Sequence, residues 1–182
     1  MPSTTFMSAA QLLELSPSLA RAELIEGKLR EYPYYGMQAC LTVARIVAQL
    51  GLFVEENHLG VVGGSGAGFV LARNPDTVLS PAAVFISNSL LSCTAVSSDY
   101  FDGPPELVVE IEDTCEGAKD VELSINLWLA AGARMVWLIN PRNRTATMYR
   151  AGLPPELIDE HSDLTCENIL PGFRIRLGDV LV

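Results

Sequence analysis

The sequence predicts an α/β fold built on a sheet of mixed strand direction. Three observations carry this. The segment from Arg134 to Ile139 is a nearly continuous apolar run, the mark of a strand covered on both faces. It is followed by Asn140-Pro-Arg-Asn-Arg144, a turn, and then by Thr145 to Tyr149, so a hairpin partner runs antiparallel to it. Two apolar helices, 38–50 and 119–131, are interleaved with the strands, which calls for helices laid on a sheet.

The elements follow in order. Ser8 is placed to cap a short helix that runs through Leu15. Residues Glu23 to Arg30 alternate apolar and polar, as a half-buried strand does. In the helix from Gln38 to Leu50 the polar residues Gln38, Thr42, Arg45 and Gln49 form one stripe, so most of the circumference is expected to be covered. Gly60 to Gly68 holds five glycines and reads as a strand, a turn and a second strand ending at Ala72. No Lys-Ser/Thr pair follows it, which argues against a phosphate-binding loop. Asn74-Pro75-Asp76 is a turn, Ala83 to Ile86 a short buried strand, and 87–105 a loop with room for one helical turn. Glu106 to Ile111 is a strand, and the helix from Lys119 to Ala131 is closed by Gly132. Short strands are expected near Leu157–Ile158 and over Phe173–Leu177.

A chain of 182 residues is long enough for one domain with a sizeable core, here taken as 1–182. Hydrophobic residues make up 49% and charged residues only 19%, a balance that suggests some apolar surface is covered by another subunit, with a large core as the simpler explanation. No run of about 18 apolar residues calls for a membrane span, and the N-terminus lacks the pattern of a signal peptide. Cys40, Cys93, Cys115 and Cys166 form no CxxC pair, so they are read as buried small hydrophobes in a reducing cytoplasm. The formal net charge is −10 and the isoelectric point about 4.6. Nucleic acid is held mainly through Lys and Arg, so a balance of 12 basic to 22 acidic residues disfavours it as a partner. Arg142, Arg144, Arg150, Arg174 and Arg176 fall late and could form a local basic patch, but solvated arginines are the simpler reading.

The candidate chemistry lies in carboxylates. Glu110 is an acid inside the apolar strand Leu107-Val-Val-Glu-Ile111, a costly placement unless it has a partner. Glu112 is expected on the same face, Glu23 opens an earlier strand, and Asp120 begins the helix after Glu110. Acids converging from separate strands suit Mg²⁺, which takes oxygen ligands, keeps several waters and can activate one of them toward a phosphodiester. Structural ion pairs would account for the same acids. His58 and His161 sit in turn-like contexts without a second ligand at metal spacing, and no serine occupies a nucleophile elbow.

The chain resembles the putative restriction endonuclease domain family of the PD-(D/E)XK nuclease superfamily. The likeness is carried by Glu23-Leu-Ile-Glu-Gly-Lys-Leu29, Val54-Glu-Glu-Asn-His-Leu-Gly60, Gly68-Phe-Val-Leu71, Pro105-Glu-Leu-Val-Val-Glu110, Lys119-Asp-Val-Glu122, Trp128 to Pro141 and Leu170-Pro-Gly-Phe173. The resemblance implies a restriction-endonuclease-like core, a curved mixed sheet flanked by helices with extra antiparallel strands. It also implies a site for Mg²⁺ or Mn²⁺ and a homodimer. Glu23 matches the family's acid on the first strand, Glu110 the acid of the (D/E)XK half-motif, and Asp120 an acid opening the next helix.

The departures bear on activity. Where the family has Pro-Asp this chain has Pro81-Ala82, which removes a metal ligand. The family's helix lysine, which would orient the attacking water, falls at Ser124. A His that often starts the second helix appears as Ala39 or its neighbour Gln38. Lys119, about one turn before Ser124, is the one nearby lysine that could take over, and Glu112 could stand in as a metal ligand. Two functions of different class result. One is an active or weakly active metal-dependent endonuclease; the other is an inactive binding or assembly module acting as a homodimer. Descent from a nuclease with impaired catalysis is favoured, and an unrelated sugar or nucleotide hydrolase is the minor alternative.

Overall fold

In this computed structural model the described residues are 6–15, 21–94, 97–112 and 118–182, with the backbone alone for 118 and 119. Helix α1 (Ala9–Leu15) begins as expected at Ser8. The Ser8 Oγ accepts from the Gln11 amide at 3.3 Å while Gln11 Oε1 accepts from the Ser8 amide at 2.8 Å. This reciprocal pair satisfies two of the amides a helix start leaves open.

The expected single strand over 23–30 is instead a hairpin, β1 (Arg21–Ile25) and β2 (Lys28–Tyr32). The turn residues Glu26 and Gly27 both have positive φ, 51° and 72°, the signature of a two-residue turn whose twist matches the flanking strands. The turn shifts the alternation by one position, so that Leu24 of β1 stands opposite Leu29 of β2. The register pairs Glu23 with Arg30 and Arg21 with Tyr32.

Helix α2 runs from Met37 to Glu56, beyond the expected end at Leu50. A Cβ at Gly51 would meet nothing within 4 Å, so Gly51 sits on an open flank and the apolar pattern continues through it to Val54. By length and composition α2 could cross a membrane. Here Ala39, Val43, Ile46, Leu50 and Val54 bury against the sheet, as in a core helix. Of the polar stripe Gln38, Arg45 and Gln49 are exposed but Thr42 is buried, its Oγ1 without a hydrogen-bond partner, and the apolar Met37, Leu41 and Leu52 are exposed as well.

The remaining elements are β3 (Gly60–Gly64), β4 (Phe69–Ala72), β5 (Thr77–Leu79), β6 (Ala83–Ser87), α3 (Asn88–Cys93), β7 (Phe101–Asp102) and β8 (Leu107–Ile111). After them come α4 (Ala118–Ala131), β9 (Met135–Asn140), β10 (Thr145–Tyr149), β11 (Glu156–Asp159), β12 (Asp163–Thr165), β13 (Arg174–Arg176) and α5 (Leu177–Val180). Strands β5, β7 and β12 and the helix α5 were not foreseen; each is short. The six-stranded sheet has the order β11-β10-β9-β8-β6-β3, with β8 and β9 parallel and the other neighbours antiparallel. A five-stranded sheet, β2-β1-β5-β4-β7, stands beside it, and β12 pairs with β13.

The alternation of side chains along β8 and β9 assigns the two faces of the large sheet. Leu107, Val109 and Ile111, with Trp137 and Ile139, pack in the cluster under α2. Val108, Val136 and Leu138 pack against Ile125 and Trp128 of α4. Glu110 therefore shares the α4 side of the sheet, since it alternates with Val109 and Ile111.

Candidate functional site

Glu110 reaches α4 from below. Its Oε1 accepts a hydrogen bond of 2.7 Å from Nε1 of Trp128, a ring fully shielded from solvent. Asp120, Ser124 and Trp128 recur at intervals of four along α4 and so lie on one stripe of the helix. The hairpin faces this stripe. Because β1 and β2 pair Glu23 with Arg30 and Arg21 with Tyr32, these four side chains project from one face of the ribbon.

A small cavity forms where the two meet, lined by Arg21, Glu23, Tyr32, Glu110, Val121 and Ser124. The structure thus brings together Glu23, Glu110 and Ser124. Glu23 is 6% exposed, and its Oε1 accepts from the Ser80 amide at 2.8 Å. Asp120 is drawn into an ion pair with Arg30. That bond to Asp120 raises the already high pKa of the Arg30 guanidinium, which stays charged throughout. Arg21 lies with its Cζ 3.8 Å from the centroid of the Tyr35 ring, and its Nη2 donates to Tyr35 Oη at 2.8 Å.

The other candidates lie elsewhere. Glu112 is at the end of β8, where its Oε2 accepts from Asn140 Nδ2 at 2.8 Å, and it does not line the cavity. Ala82 is completely buried in the cluster under α2 and is likewise not among the lining residues. The side chain of Lys119 lies outside the described residues. Arg21 was not singled out in the sequence. Its signal was its position two residues before Glu23, which puts both on one face once a strand is assumed.

A divalent cation does not fit this donor set. Among the described residues no three His, Cys, Asp or Glu side chains come together as a metal group. The open space in the cavity is about 10 Å³, room for about one water, whereas Mg²⁺ keeps several. Each of Glu23, Glu110 and Asp120 is already engaged by a protein donor.

The late arginines are similarly engaged. Arg144 pairs with Glu160, Arg150 with Glu156, and Arg174 with Asp163, so the expected solvated reading describes them better than a basic patch. His58 and His161 are exposed. Two of the cysteines correct the expectation of burial: Cys40 and Cys93 are exposed and Cys166 is buried, while Cys115 lies outside the described residues.

Residues 9–178 match the model of a family described as Uma2: Putative restriction endonuclease. The chain belongs to the Uma2 family. Among solved structures this Uma2 chain is similar to a crystal structure from Anabaena variabilis ATCC 29413, described as a putative nuclease belonging to DUF820. The two share 18% sequence identity at a TM-score of 0.77, over 92% of this chain and 96% of the other, which establishes a common fold. No curated protein matches the Uma2 chain closely enough to add to this. The nuclease-like fold expected from the sequence is therefore present, with its mixed sheet and flanking helices.

Proposed function

We propose that this Uma2 protein keeps the scaffold of a metal-dependent endonuclease with its phosphodiester hydrolysis lost or strongly impaired. The observation that carries the reading is the fate of the acids. Arg30 holds Asp120, the Trp128 indole holds Glu110, and the position of the missing acid, Ala82, is sealed in the apolar cluster under α2. Arginines on the hairpin supply the positive charge that a cation would otherwise bring to this cluster of carboxylates. Ser124, facing the cavity, offers a hydroxyl where the family's lysine would orient water. Removing a single charge-stabilising donor typically costs about 10² to 10³ in rate, so a lost ligand and a lost lysine together cost far more.

The test is to incubate the purified protein with supercoiled and single-stranded DNA and either Mg²⁺ or Mn²⁺. The expected result is no nicking above the buffer control; nicking that disappears in Glu110→Ala overturns the reading. Calorimetric titration with Mn²⁺ gives a second readout, with no saturable heat expected.

A binding or assembly role as a homodimer is the second reading, and α2 favours it. Met37 is 74% exposed and Leu52 57%, with Leu41 between them on a face that carries little charge. Helix α4 contributes no exposed large hydrophobic residue among those described, so the case for a dimer rests on α2. Sedimentation at micromolar concentration is expected to give twice the 19.7 kDa chain mass; a monomer rules the dimer out. The free thiols of Cys40 and Cys93 suit a reducing cytoplasm.

A further inference from the structure

Arg21 borders two cavities. Besides the small carboxylate cavity it lines a cleft of about 380 Å³, at the lower end of the sizes that hold small molecules. The floor is apolar: Leu12 and Val78 are 1% and 2% exposed. Three tyrosines, Tyr34, Tyr35 and Tyr100, form the walls. Their placement is built rather than incidental. A Cβ at Gly68 would lie 2.2 Å from Cδ1 of Tyr100, so only glycine there lets the Tyr100 ring rest against the backbone. The Arg21 guanidinium lies over Tyr35, its Cζ 3.8 Å from the ring centroid, and donates from Nη2 to the Tyr35 hydroxyl, with the Tyr32 ring centroid 5.4 Å from the same Cζ. Tyr34 stands at the mouth with 76% of its surface open.

Tyrosine rings and an apolar floor select a flat aromatic ring. A nucleobase is such a ring, since every base offers a π-face and bases stack on tyrosine. Charge selects further. Ser80, a wall of the cleft, donates its amide to the carboxylate of Glu23, and the whole chain carries −10. Phosphates gain little here, so recognition falls on the ring. We propose that this cleft binds a nucleobase ring, presented either by a free nucleoside or by an unpaired base in a strand. The proposal goes beyond the loss of hydrolysis and does not depend on it.

Calorimetric titration of the full chain with adenosine, guanosine, cytidine and thymidine, and with short single-stranded oligonucleotides, tests it. EDTA is present throughout, so the outcome is independent of the nicking assay. Saturable binding is expected, weakened at least about fivefold in Tyr34→Ala, the low end for a lost stacking face. Ser65→Trp, which fills the cleft from its rim, is expected to abolish it, and Leu157→Ala, on the exposed strand β11, to leave it unchanged. Nucleoside binding assigns the ring to a free ligand, and binding of oligonucleotides alone assigns it to a strand. No saturation with any probe overturns the proposal, as does binding that Tyr34→Ala and Ser65→Trp leave at full strength.

Discussion

Trp128 and Glu110 are joined by a 2.7 Å hydrogen bond between a fully buried indole and a carboxylate on the central strand β8. A hydrogen bond to a charged group contributes about 1.5–3 kcal/mol. Trp128→Phe keeps an aromatic ring in the cluster and removes only the N–H and part of the ring volume. It is expected to destabilise the fold by about 2–3 kcal/mol in urea unfolding. An unchanged midpoint would show that the bond contributes nothing.

Ala82→Asp restores the family's acid to a position with no solvent exposure inside an apolar cluster. An unpaired carboxylate there costs several kcal/mol. The variant is expected to unfold at clearly lower urea, and Mn²⁺ is expected to recover none of the loss, because Asp120 remains tied to Arg30. Restoration of stability by Mn²⁺ would mean that the acids can regroup around a cation.

The pair of Arg30 and Asp120 is half open to solvent, with side-chain exposures of 36% and 45%. Pairs of this kind contribute about 0.2–1 kcal/mol and are screened by salt. Asp120→Asn should therefore lower stability by no more than about 1 kcal/mol, with the difference shrinking as salt is added. A loss of several kcal/mol, insensitive to salt, would contradict the assignment of Asp120 to a solvent-facing ion pair.

Burial pushes the Cys166 thiol up to about 12. Reaction with iodoacetamide at mildly alkaline pH is expected to modify Cys40 and Cys93 and to spare Cys166, as peptide mass mapping would show. The folded chain holds this proton more tightly than the unfolded one. Its contribution to stability is complete below the ordinary thiol value of 9.0 and is lost as pH rises toward about 12. Labelling of Cys166 at the rate of Cys40 would contradict its burial.

Much of the architecture was legible from the sequence where pattern and length agreed. The run ending at Ile139, the turn after it and the helix closed by Gly132 all form as expected. The Ser8 cap was readable because its partner Gln11 lies three residues on. Short strands such as β5 and β12, three residues each, carry too little periodicity to stand out. The exposed face of α2 was illegible for another reason: amphipathic reading assumes that apolar means covered, and Met37, Leu41 and Leu52 are not covered within one chain. At the site, the sequence named the acids Glu23, Glu110 and Asp120 but not their captors. Arg30 was invisible as the partner of Asp120 because a single strand over 23–30 hides the pairing that brings Arg30 opposite Glu23.

The turn at Glu26 and Gly27 also sets a parity. With two residues in the bend, Arg21, Glu23, Arg30 and Tyr32 all emerge toward α4. Inserting or deleting one residue between Gly27 and Arg30 would send Arg30 to the opposite side and leave Asp120 facing a different neighbour. The charge balance of this corner of the molecule is thus written in a length, and a frameshift of a single position in the ribbon would undo it more thoroughly than the loss of any one acid.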